Sequence, residues 1–166
     1  HAEMSIRDSQ FIDNPGDTIQ QDNLGRGSTI ILELDRVLVQ NTTERGGSPE
    51  NAPLPFNLGD CILAGSTGTG NTTVLRVRDS RFENCNNGLT LLSGVSLSNG
   101  PGPDGLIDVE VLNSSFRSNA FNNLVVGVIT PLRELRLKVE NSDLRTAGEH
   151  AVALRQVDLG RVEMAA

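Results

Sequence analysis

The sequence predicts an all-β solenoid, a parallel β-helix of about five to six coils with two longer inserted loops. Three observations predict it. A short block recurs: Asp8-Ser9-Gln10-Phe11, Leu34-Asp35-Arg36-Val37, Asp79-Ser80-Arg81-Phe82, Asn113-Ser114-Ser115-Phe116 and Asn141-Ser142-Asp143-Leu144. Apolar and polar residues alternate upstream of the blocks, and no helical period accompanies them. Charges of opposite sign also occupy equivalent positions in successive repeats. Internal repetition on this length scale is the signature of stacked, coil-by-coil architecture.

The first strand of each coil lies just before the block. Apolar residues stand five and seven positions upstream of the last block residue: Ile30 and Leu32, Leu75 and Val77, Val109 and Val111, Leu137 and Val139. Period-two alternation of this kind marks a strand with one buried face. The Asx-Ser pair that follows is turn chemistry, because both side chains bond nearby backbone groups. The large apolar residue closing the block anchors a short second strand. A polar stretch such as Asn84-Cys85-Asn86-Asn87-Gly88 then leads into a third strand, Leu89 to Leu92 or Ala151 to Leu154. Successive anchors, Phe11, Val37, Phe82, Phe116 and Leu144, stand 26, 45, 34 and 28 residues apart.

The outer face of the first strand supplies the register. Arg76, Glu110 and Lys138 hold one equivalent position, and Asp108 and Arg136 another. Stacked at strand spacing, about 4.8 Å, these charges would lie above one another with alternating sign. The spacing excess over the shortest repeat places extra residues in loops. Glu44 to Leu58 and Ser93 to Gly105, both rich in Gly and Pro, are the two insertions, since these residues interrupt strands.

With these blocks in view, the chain resembles the right-handed parallel β-helix superfamily, the pectate-lyase-like fold, over residues 5–155. The resemblance implies a right-handed coil and an inward Asx ladder at the tight turn, matched by Asp8, Asp79, Asn113 and Asn141, with Leu34 departing from it. Activity varies across that superfamily, from lyases, hydrolases and epimerases to adhesins. The Asn-Thr-Asp, Asp-Asp and Gly-His-Gly blocks of its polygalacturonases are absent here, as is the Asp-Pro-His-Asp of its alginate epimerases. No clustered aspartates of the lyase kind are visible either.

Residues 1–4 read as a linker or expression remnant and residues 156–166 as a tail or end cap. Two cysteines, Cys61 and Cys85, permit at most one disulfide and read as buried free thiols. A net charge of −7 without a basic segment excludes duplex nucleic acid as a natural partner. No apolar run reaches the roughly 20 residues of a membrane helix. With 37% hydrophobic residues in periodic order, the chain is not disordered. Trp and Tyr are absent, which removes the usual stacking platforms for sugar rings and unpaired bases.

The chemistry-bearing candidates are few. Glu44, Arg45, Asp104 and His150 are the binding or catalytic candidates, His150 being the one internal histidine. No cofactor is called for. Asp13, Asp17 and Asp22 form the densest acidic set, but they lack the glycine-punctuated calcium-loop form and read as a solvated loop, with calcium as the alternative. Three Asn-X-Ser/Thr triplets occur, at Asn41, Asn71 and Asn113, the last reading as a turn residue. The leading functional expectation is a non-catalytic module of an extracellular or surface protein, a scaffold or carbohydrate-binding surface. Polysaccharide, flanking domains or a second copy at the open coil ends are the expected partners. The alternative is a lyase or hydrolase of acidic polysaccharide.

Overall fold

The computed structural model describes residues 1–23, 25–42, 59–66, 69–93, 105–128, 132–145, 147–156 and 162–165. The first coil comprises β1 (Ala2–Arg7), β2 (Gln10–Ile12) and β3 (Ile19–Asn23), and the second β4 (Thr29–Asp35), β5 (Leu38–Gln40) and β6 (Ile62–Ser66). The third contains β7 (Thr72–Arg78), β8 (Arg81–Glu83) and β9 (Asn87–Ser93), and the fourth β10 (Gly105–Leu112), β11 (Ser115–Arg117) and β12 (Asn122–Val128). A fifth holds β13 (Leu132–Glu140) and β14 (His150–Gln156), with an isolated bridge at Asp143 in place of a second strand. β15 (Val162–Ala165) begins a sixth turn.

Every third strand pairs in parallel, giving sheets ordered β1-β4-β7-β10-β13-β15, β2-β5-β8-β11 and β3-β6-β9-β12-β14. The chain is therefore a parallel β-helix of about five coils. Pairing runs from Ala2 to Ala165, beyond the 5–155 span read from the sequence. Residues 44–58 and 94–104, with Glu44, Arg45 and Asp104 among them, lie outside the described residues, while Ser93 and Gly105, the bounds of the second insertion, belong to β9 and β10.

The core is a stack of one-residue layers. Leu32, Leu75, Val109 and Leu137 are aligned in the first sheet, and Leu34, Val77, Val111 and Val139 in the next layer. Phe82 and Phe116 stack at 4.7 Å between ring centroids, an offset aromatic pair fixed by strand register. The charge register is as the sequence indicated, with Arg76, Glu110 and Lys138 aligned and Asp108 beside Arg136. The contacts are partly diagonal: Lys138 meets Glu110 at 3.2 Å, Arg76 turns to Asp108 at 2.9 Å, and Arg136 bonds Glu134 at 2.7 Å on its own strand.

The second block was set two residues too early. Register places Phe11, Val39, Phe82 and Phe116 in one layer, so Val39 and not Val37 is the anchor. Equivalent corner residues then lie 28, 43, 34 and 28 apart. Ile30, expected inside, is half-buried, and Leu34 is buried within the strand instead of standing at the turn. The Asx position of this coil, assigned to Leu34 as a departure from the pattern, is held by Arg36.

The inward Asx ladder also needs correction. Asp8, Arg36, Asp79, Asn113 and Asn141 are exposed and share φ values of 49–55°. The corner selects Asx because these side chains tolerate the left-handed region better than most. The following residue points inward. The Ser80, Ser114 and Ser142 hydroxyls accept the backbone N–H of Val37, Ser80 and Ser114 at 3.0, 3.2 and 3.1 Å. The same hydroxyls donate to the carbonyls of Arg78, Leu112 and Glu140 at 2.6–2.9 Å. A buried corner thereby leaves neither N–H nor hydroxyl unpaired.

Cys61 and Cys85 are buried, as expected, but they are not free thiols; they form a disulfide. The register of the second and third coils brings their Cα atoms to 5.6 Å, inside the range that a disulfide spans.

Candidate functional site

The third sheet carries a polar row two residues before its core layer. Register aligns Ile19, Ile62, Leu89, Leu124 and Val152, so Asp17, Asp60, Asn87, Asn122 and His150 follow one another along the axis. The row is continuous. Asp17 Oδ1 accepts the backbone N–H groups of Gly59 and Asp60 at 2.9 and 3.0 Å. Asn87 Nδ2 donates to Asp60 Oδ1 at 2.8 Å, and Asn122 Nδ2 donates to Asn87 Oδ1 at 3.0 Å. His150 Nδ1 lies 3.2 Å from Asn122 Oδ1. Because that oxygen accepts, His150 donates through Nδ1–H and leaves Nε2 toward solvent.

Asp60 is the outlier of this row. Its carboxyl is pushed up to about 7, chiefly by burial, with the nearby Asp17 charge adding and the Asn87 amide opposing. His150, exposed at the start of β14 as expected, therefore ends a structural hydrogen-bonded row. Two intervening asparagine rungs separate it from Asp60, so the pair cannot act together on one substrate atom. The sequence signal for this row was present, in the polar residues preceding each third strand, but aligning first strands alone did not reveal it.

Asp13, Asp17 and Asp22 do not converge. Asp13 sits at a left-handed second corner and accepts the Asn41 amide at 3.0 Å, while Asp22 accepts Gln20 at 2.6 Å. Among the described residues no three His, Cys, Asp or Glu gather as a metal set. Asn71 is fully buried and its amide donates to the Asn23 carbonyl at 3.0 Å, so its glycosylation triplet is inaccessible in the folded chain.

The outer face of the third sheet is apolar where it is described beyond the first coil. Leu89, Leu91 and Leu124 face the core. The alternate residues Leu63, Thr90, Val125 and Ala153 form one row pointing away from that core, and Gly65 and Leu92 belong to the next; of these, Thr90, Leu92, Val125 and Ala153 are themselves buried. Register places the charged residues Asp22 and Arg155 at the two ends of that next row.

A groove of 720 Å³ opens elsewhere, at the first corner of coils three to five. Asp79, Asn113 and Asn141 form one wall, and Arg81, Ser115 and Asp143 the parallel row. Asp143 is held well below the usual carboxylate range by Arg145, which bonds both its oxygens at 2.8 and 2.7 Å, and by Arg117. Arg81 reaches Glu83 at 2.7 Å. Hydrogen-bond donors and acceptors are thus displayed in near-balanced charge. Sequence reasoning gave Asp79, Asn113 and Asn141 an inward structural role; the left-handed corner turns them outward into this groove.

The chain matches no protein-family model, no curated protein and no solved structure.

Proposed function

We propose that the chain is a non-catalytic scaffold module of an extracellular or cell-surface protein that presents a carbohydrate-binding surface. The observation that carries this reading is the third sheet's outward row, whose described side chains are uncharged and, at Thr90, Val125 and Ala153, themselves buried. An enzyme of acidic polysaccharide assembled there would need a row of cations and carboxylates across adjacent coils, and Leu63, Thr90, Val125 and Ala153 occupy that row. The nearest titratable groups, Asp60 and His150, are committed to a hydrogen-bonded row that ties coils together. Elsewhere the carboxylates of Asp8, Glu110 and Asp143 are engaged by neighbouring cations. The Cys61–Cys85 disulfide favours an oxidising compartment. The pectate-lyase-like resemblance accords with three parallel sheets stacked coil on coil, and supplies fold and not activity.

The test is incubation of the purified chain with polygalacturonate, alginate and neutral plant and bacterial polysaccharides, following product release and binding in parallel. Retention on polysaccharide without new reducing ends or unsaturated products is the expected outcome. Depolymerisation that is lost on His150→Ala or on Glu44, Arg45 or Asp104→Ala would establish the enzyme reading instead.

A further inference from the structure

We propose that the first-corner groove binds a neutral, extended oligosaccharide lying along the solenoid axis, an inference that rests on the carbohydrate-binding reading and gives it a place. The groove gathers three neighbouring corner residues with unengaged polar side chains, whereas Ser118 is the one such residue described at the second corner. At the second corner, the side chains of Asp13, Asn41 and Asn84 bond one another at 3.0 and 3.2 Å. At the first corner of the opening coils, Arg36 takes Asp8 at 2.7 Å. Among the described residues, Asp79, Asn113 and Asn141 make no side-chain hydrogen bond within the protein. Their backbone is nonetheless held, because each sits at a left-handed φ of 49 or 50° beside a serine whose hydroxyl bonds the preceding strand's carbonyl.

The geometry suits a polymer. Adjacent coils rise by about 4.8 Å, close to the length of one pyranose residue in an extended chain, so three corner residues offer one rung per sugar. Ser115 is the small residue between Arg81 and Asp143 in the second row, which opens the floor there. The Asn113 and Asn141 amides and the Ser115 hydroxyl both donate to and accept from sugar hydroxyls, while the Asp79 carboxylate accepts only.

Charge selects the neutral class. Arg81 and Arg145 are already satisfied by Glu83 and Asp143, and Asp79 adds an unopposed carboxylate to the wall. A uronate would displace existing ion pairs and meet Asp79, on a chain of net charge −7. Hydroxyls need no such exchange. Without Trp or Tyr to stack a ring, affinity comes from hydrogen bonds that are individually modest, and a Kd of ~1 mM is the expected scale.

The experiment is a ¹⁵N-heteronuclear NMR titration of the full chain with cellotetraose, mannotetraose and tetragalacturonate. A neutral tetrasaccharide should perturb amides at residues 79–81, 113–115 and 141–143. The paired substitution Asn113→Gly and Asn141→Gly keeps the positive φ while deleting both amides, and should weaken binding about tenfold with an otherwise unchanged spectrum. Asn141→Asp, matching the residue type at Asp8 and Asp79, provides a second variant that retains the corner and should also weaken binding. Absence of groove perturbation by both neutral sugars, unchanged affinity in the variants, or preference for tetragalacturonate would each overturn the site. Perturbations confined to another surface would overturn the groove while leaving a carbohydrate-binding module standing. Cleavage of a sugar would overturn the non-catalytic reading and not the location.

Discussion

Asp60 is 4% exposed, between Asp17 and Asn87 in the polar row of the third sheet. Burial raises its folded pKa from 3.8 to about 7, whereas the unfolded chain ionises it near the ordinary value. The folded state therefore binds more protons between these limits, and this residue makes stability fall as pH rises from about 4 through 7. Asp8 and Asp143, both held low by arginines, act in the opposite direction and only below the ordinary carboxylate range. Asp60→Asn would extend the asparagine row of Asn87 and Asn122 by one rung. Thermal melts should show the variant more stable than the parent at pH 8, by at most ~4 kcal/mol, and the difference should vanish near pH 4. A parent whose stability is flat from pH 5 to 8 would contradict the assignment.

Among the elements, the first corner shows most clearly which features a sequence can reveal. Alternation located the first strands because a buried face imposes period two, and aligned charges set the register of β7, β10 and β13 correctly. The block beginning at Leu34 was misplaced because a corner demands a backbone conformation, not one residue type. Arg36 adopts φ 55° there and replaces Asx, so no Asx-Ser pair marks this corner in the sequence. The serine after the corner has the more exacting task, since its hydroxyl pairs two buried backbone groups. Ser114→Ala would remove the acceptor for the Ser80 N–H and leave that group buried without a partner. Equilibrium urea unfolding should register a loss of ~1–3 kcal/mol. The groove was illegible for a related reason: a repeated Asx predicts a turn, but only the sign of φ determines whether its side chain faces the core or solvent.

Across the whole molecule, each coil touches mainly the next, so cohesion is distributed along the axis and no single layer holds the fold. Cys61–Cys85 departs from that pattern by tying the second coil to the third covalently. Sequence could not reveal the bond, because pairing depends on a three-dimensional approach created by the register of the second and third coils. Cys61→Ser with Cys85→Ser should lower stability by ~3 kcal/mol, the scale expected for a loop of this length, and calorimetry in the presence and absence of reductant checks it.

The same bond has a mechanical consequence. A chain of this fold drawn out by its ends would peel coil from coil, since strands stacked along an axis separate one register at a time. The bond spans 24 residues in sequence, and those residues are withheld from the extending chain until it is reduced. A fully extended chain reaches about 3.4 Å per residue, so the oxidised molecule should stop ~80 Å short of the reduced one in a single-molecule pulling trace. The clasp acts as a tether that limits how far this module can be stretched.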